Sequence, residues 1–121
     1  MNTITDVIGV TVPVASQDDA LAFFTEKLGF ETRRDARMAD SSRWVTVAAP
    51  GATIELALAP DRERIGHDTG IRSATTDAQA EHERLHDQGV TVDSLLRWPG
   101  VPPMFKFNDP DGNIYTIIQT P

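Results

Sequence analysis

The sequence predicts an α+β domain made of two βαβββ modules in tandem, their mixed sheets curved around a cleft. Three features repeat at a shift of 60 residues and carry that prediction. Ser16-Gln17-Asp18-Asp19 and Thr76-Asp77-Ala78-Gln79 both have the form of a helix-capping box, in which a hydroxyl and an acidic or amide side chain satisfy each other's backbone amides. Gly29 and Gly89 follow the two helices, where a left-handed residue is needed to stop them. Ile54-Glu55-Leu56 falls over Ile114-Tyr115-Thr116 in the closing strand of each half. A fold-level repeat is the most economical source of all three.

In chain order, Val7 to Val14 alternates, with Ile8, Val10, Val12 and Val14 on one face and Gly9, Thr11 and Pro13 on the other. Ala20, Leu21, Phe24 and Leu28 give the first helix one apolar face. Strands are expected near 30–36, 43–49 and 53–59, the last two joined by a turn at Ala49-Pro50-Gly51-Ala52. Residues 60–68, charged and aperiodic, read as a linker between module one (1–60) and module two (69–121) of a single domain. The second module repeats the plan, with strands near 70–75, 90–97, 103–108 and 113–119. Its helix carries only a thin stripe at Ala78 and Leu85, and Asp109-Pro110-Asp111-Gly112-Asn113 makes the final turn.

Composition narrows the function. The 121 residues are 40% hydrophobic and 24% charged, as in ordinary globular domains, and the net charge is −7. Such a surface repels nucleic acid and anionic lipid, so neither is an expected partner. Cysteine is absent, which excludes disulfides, thiolate metal sites and a cysteine nucleophile. No apolar run approaches the roughly 20 residues that span a bilayer. The opening MNTITDVIGVTV lacks the basic region and cleavage pattern of a leader, so the cytoplasm is the expected location.

The chain resembles the vicinal-oxygen-chelate superfamily of glyoxalase I, bleomycin-resistance proteins and extradiol dioxygenases. The resemblance runs over nearly its whole length. It is carried by Val12-Pro13-Val14-Ala15-Ser16, by Ala22-Phe23-Phe24-Thr25-Glu26-Lys27-Leu28-Gly29-Phe30, by Ile54-Glu55-Leu56 and by Phe107-Asn108-Asp109-Pro110-Asp111-Gly112-Asn113. Enzymes of that family hold a metal with one side chain from the first and fourth strand of each module. Carried over, those positions fall at Gly9, Glu55, Gly70 or Ile71, and Thr116, with Tyr115 if the register slips by one. Only Glu55 ligates as the family pattern requires, and a catalytic zinc needs at least three protein ligands. The resemblance therefore implies a member without metal or other cofactor. His67 lies in the linker, and His82 and His86 read as a half-exposed pair on the second helix.

With the strongly apolar positions turned to the helices, alternation leaves Gly9, Thr11, Trp44, Thr46, Glu55, Ala57, Thr116 and Ile118 for the cleft. The candidate ligand-binding residues are Trp44, Glu55, Trp98, Thr11, Thr46, Thr116, Met104 and Phe105. Tryptophan offers a flat surface for stacking, and Trp98 precedes Pro99-Gly100 as a second wall or lid. Glu55 has three open readings: a solvated vestige of a metal site, a structural partner of Arg43 or Arg72, or a ligand contact or general base. Three functions follow: a metal-independent protein binding a drug or natural product, a metal-free enzyme using Glu55 for proton transfer, or an interaction protein with a filled cleft. No nucleophile–base–orienter set is evident. The resemblance further implies a homodimer.

Overall fold

A computed structural model describes residues 1–121. The chain divides into two compact units, Met1–Arg62 and Glu63–Pro121, so the division falls inside the charged 60–68 segment. Both are α+β.

In the first unit β1 (Gly9–Val14), β2 (Glu31–Arg37), β3 (Arg43–Ala48) and β4 (Glu55–Pro60) form a sheet in the order β1-β4-β3-β2. β1 runs parallel to β4, and the other pairs are antiparallel. Helix α1 (Gln17–Ala22) begins at Ser16, whose hydroxyl accepts from the Asp19 amide at 3.2 Å, and runs into a π-helical turn at Phe23–Lys27. Only that half of the expected capping box forms. Gln17 Nε2 donates to the Arg43 and Leu58 carbonyls, both at 2.9 Å, which ties the helix start to β3 and β4.

Cross-strand register sorts the side chains onto two faces. Val12, Val14, Val45, Val47, Leu56 and Leu58 share one face and are all buried. Arg43 lies on that face and reaches Asp18 of α1, so it is the helix-covered one. Phe23, Phe24 and Ala20 fill the core against it.

The second unit holds β5 (Asp68–Thr75), α2 (Ala78–Asp87), β6 (Met104–Asn108) and β7 (Ile114–Gln119), with sheet order β5-β7-β6. Residues 90–97, expected as a strand, form only two isolated bridges, Val92 to Phe107 and Leu96 to Met104. The sheet therefore has three regular strands. Helix α2 is capped by Asp77, whose carboxylate accepts from the Ala80 amide at 3.0 Å, and not by Thr76 as the repeat suggested. Gly29 and Gly89 do follow the helices with positive φ, +74° and +83°.

The expected turn before β7 is built around one buried carboxylate. Asp109 accepts from the amides of Asp111 (2.9 Å) and Asn113 (3.0 Å), from Asn113 Nδ2 (3.0 Å) and from the Tyr115 hydroxyl (2.7 Å). Asn113 Oδ1 in turn accepts from the Gly66 amide at 2.8 Å, fastening the start of this unit to its last turn. Burial, then the neighbouring Asp109 charge, pushes the Tyr115 phenol far above its ordinary value, so it stays a donor.

Candidate functional site

Each sheet has a second face that its own helix does not cover, and most of the predicted site residues lie there. In the first unit the pairs Gly9–Glu55, Thr11–Ala57, Ala57–Thr46, Thr46–Arg34 and Trp44–Ala36 place all of these on one face. Thr11, Ala57, Thr46 and Arg34 thus form a row across four strands. Glu55 flanks the row on one side and Trp44 on the other. Continuing the β3–β4 register sets Trp44 opposite Ala59, four residues along β4 from Glu55, or about 13 Å. The floor is made of small side chains, Gly9, Ala36, Ala48, Ala57 and Ala59, where the opposite face has valine and leucine.

Glu55 is half-buried, and its carboxylate makes no hydrogen bond or ion pair within the chain. The proposed pairing with Arg43 does not occur. Arg43 points to the helix-covered face and grips Asp35 through Nε and Nη2, both at 2.8 Å, and Asp18 at 2.6 Å. Those bonds hold the Asp35 carboxyl below its ordinary value. Trp44 is 43% exposed. Arg34, which the sequence reading passed over, is exposed beside Thr46 and has no partner in the chain.

In the second unit the helix-free face carries Arg72, Ala74, Thr116, Ile118, Met104 and Lys106, by the pairs Arg72–Thr116, Ala74–Ile118, Lys106–Thr116 and Met104–Ile118. Met104 and Thr116 are half-buried there. Phe105, expected at the site, does not face it. It lies on the opposite face, 1% exposed, with its ring edge-on to His82 of α2 at 5.0 Å, and so belongs to the core beneath the helix. Tyr115 also faces that core, stacked on Phe107 at 5.0 Å, so Thr116, and not Tyr115, is on the helix-free face of β7. Trp98 is 63% exposed in a turn closed by the Val101 amide on the Trp98 carbonyl, and it belongs to no strand. The histidines are engaged singly: His67 Nδ1 with the Arg64 carbonyl at 2.9 Å, His82 Nε2 with the Asp93 carbonyl at 2.8 Å, and His86 beside Asp87 on the surface.

The register also corrects the third of the positions carried over from the metal-binding pattern. An irregularity between Asp68 and Arg72, with Gly70 at φ +71°, brings Arg72 opposite Thr116, where Gly70 or Ile71 was expected. Gly9 stands opposite Glu55 in the same way. The four positions then hold a glycine, a carboxylate, a permanent cation and a threonine. That donor set does not fit a divalent metal. No group of three or more His, Asp or Glu side chains is arranged to hold one elsewhere.

Two βαβββ-type units in one chain, each with a helix-free sheet face, define the vicinal-oxygen-chelate class of fold. The chain belongs to the glyoxalase/bleomycin resistance protein/dioxygenase superfamily, whose family model matches residues 7–116. Among solved structures it is similar to TnmS3, an antibiotic binding protein from Streptomyces sp. CB03234, with 31% identity and a TM-score of 0.84 over 100% of both chains. A superfamily member from Sphaerobacter thermophilus DSM 20745 is likewise 31% identical, with a TM-score of 0.89, covering 98% of this chain and 100% of that one. The uncharacterised Bacillus subtilis (strain 168) protein YurT is 30% identical over 125 residues, covering 93% of this chain and 98% of YurT.

Proposed function

We propose that this protein binds a planar organic cation, of the drug or natural-product kind, without a metal or other cofactor. The observation that carries the reading is a carboxylate with no partner, Glu55, on the same sheet face as a part-exposed indole, Trp44. An aromatic ring stacks on the indole, and a positive group about 13 Å along the strand meets the carboxylate. The net charge of −7 attracts such a ligand from a distance. The likeness to an antibiotic binding protein over the full chain supports a ligand of the drug or natural-product kind. In this reading the protein acts as a cytoplasmic homodimer with no nucleic-acid or membrane partner, and native mass spectrometry should find a species at twice the 13.3 kDa chain mass with no metal adduct.

The unpaired Glu55 also suits proton transfer on a bound substrate, so the test separates binding from turnover. Mitoxantrone, a planar tricyclic dication, is titrated into the Trp98→Phe variant while Trp44 fluorescence and the probe's absorbance spectrum are followed. Saturable quenching with an unchanged probe is expected, and Glu55→Gln should weaken it about tenfold through loss of one close charge contact. Absence of saturable quenching, or equal affinity in Glu55→Gln, would sink the reading. Conversion of the probe by wild type but not by Glu55→Gln would replace it with the enzymatic one.

A further inference from the structure

Thr46 Oγ1 is the only buried side-chain oxygen or nitrogen without a hydrogen-bond partner, in a residue 3% exposed. Leaving a hydroxyl unsatisfied in the interior is unfavourable, and valine would fill the same volume without that cost. The fold alone therefore gives no reason for threonine here. Its position supplies one. Thr46 and Thr11 stand on either side of Ala57, one strand away each, so their Cα atoms lie about 10 Å apart across a methyl-sized floor. Ala57 is itself buried, so once the side chains over it move aside the spacing suits a fused ring system lying flat on Ala57 with one polar edge toward each threonine. Arg34 and Trp44, long side chains on the same face, border Thr46.

We infer that Thr46 is a specificity-determining residue, which hydrogen-bonds a ring hydroxyl on the edge of the bound ring system. The ligand class is thus an oxygenated planar polycycle, and Thr11 addresses its opposite edge. The inference rests on the binding function proposed above and adds the chemistry that the ligand must carry. Entry of the ligand requires the side chains that bury Thr46 to change rotamer and uncover the hydroxyl, a motion open to side chains near the surface. A site with a buried, unmatched polar group discriminates strongly against ligands that cannot match it, since such a ligand leaves the group unpaired in the complex as well.

The test uses mitoxantrone and ametantrone, which share a tricyclic quinone core and cationic arms and differ by two ring hydroxyls. Affinities are measured for wild type, Thr46→Val and Thr46→Ser by calorimetry. Wild type should prefer mitoxantrone by about tenfold. Thr46→Val should lose that preference by weakening mitoxantrone binding, and Thr46→Ser should retain it. Thr46→Val should also melt roughly 4 °C higher, because the orphaned hydroxyl is gone. Equal affinity of wild type for both probes, or a preference that survives in Thr46→Val, overturns the inference while leaving the binding function standing. A lower melting temperature in Thr46→Val with the preference unchanged assigns the hydroxyl to the fold and overturns it too. Failure of wild type to bind either probe overturns both.

Discussion

Asp109→Ala should be among the most destabilising single substitutions in the second unit. The carboxylate accepts four hydrogen bonds inside six residues, and their environments decide what its loss costs. The Asp111 amide lies in a partly exposed turn and can turn to water. Asn113 and Tyr115, at 0% and 2% exposure, cannot. Hydrogen bonds to a charged acceptor contribute about 1.5–3 kcal/mol each, so the two fully buried side-chain bonds set an expected loss of about 4 kcal/mol. That is a large share of the roughly 5–15 kcal/mol that stabilises a typical domain. Urea unfolding, followed by Trp98 fluorescence in a Trp44→Phe background, reads the change through the transition midpoint at constant slope. Tyr115→Phe removes only one of these bonds and should cost about 2 kcal/mol. In the double variant the Tyr115 hydroxyl is no longer stranded, so the two losses should fall short of additive by roughly 1–2 kcal/mol. A loss below about 1 kcal/mol for Asp109→Ala, or strict additivity, would refute the view that this carboxylate organises the turn.

Tyr115 is the only tyrosine, so its near-ultraviolet absorbance gives a clean titration. Its phenol is raised above the ordinary 10.0, which stabilises the fold below the unfolded pKa and loses that contribution as pH rises beyond it. Tyrosinate absorbance should therefore appear together with unfolding, and ionisation near pH 10 in a protein whose circular dichroism stays native would contradict the assignment. Gln17→Ala removes both donors that fasten α1 to the Arg43 and Leu58 carbonyls and should cost about 1–2 kcal/mol. Thermal melts should register it as a few degrees, whereas Asp18→Ala, which loses one contact of a surface pair, should shift the melt much less.

The parts of the fold that could be read from the sequence are those fixed by a single local cause. Ser16 can only cap, Gly29 and Gly89 supply a backbone conformation other residues resist, and Asp109 to Asn113 is a turn on its own chemistry. Strand alternation likewise placed Thr11, Trp44, Thr46, Glu55 and Thr116 away from the helices, because no irregularity interrupts β1, β3, β4 or β7 near them. Where two local answers compete, the pattern misled. Thr76 and Asp77 both cap helices, and a carboxylate is the stronger acceptor for the start of α2. Residues 90–97 alternate like a strand, yet only Val92 and Leu96 bridge to β6.

The omissions at the candidate site have a different origin. Arg34 follows a register irregularity at Arg33, where one extra residue reverses the face that simple alternation assigns, whereas the two extra residues around Gly70 keep the face and bring Arg72, in place of Gly70, opposite Thr116. Phe105 and Phe107 have the same parity in β6, so alternation says only that they share a face. Choosing the face requires knowing which side α2 covers, and with Ala78 and Leu85 as its only fully buried residues the helix gave little sign of it. Alternation puts Thr46 on the helix-free face for a reason that says nothing about its hydroxyl. Threonine is common in strands because its branched side chain fits a pleated surface, so in the sequence alone nothing sets Thr46 apart from other strand residues. The hydroxyl becomes informative only once the assembled face leaves it without a partner. Hydrogen-bond satisfaction is a property of neighbours brought together by folding, and in this chain that property singles out Thr46 among otherwise ordinary strand residues.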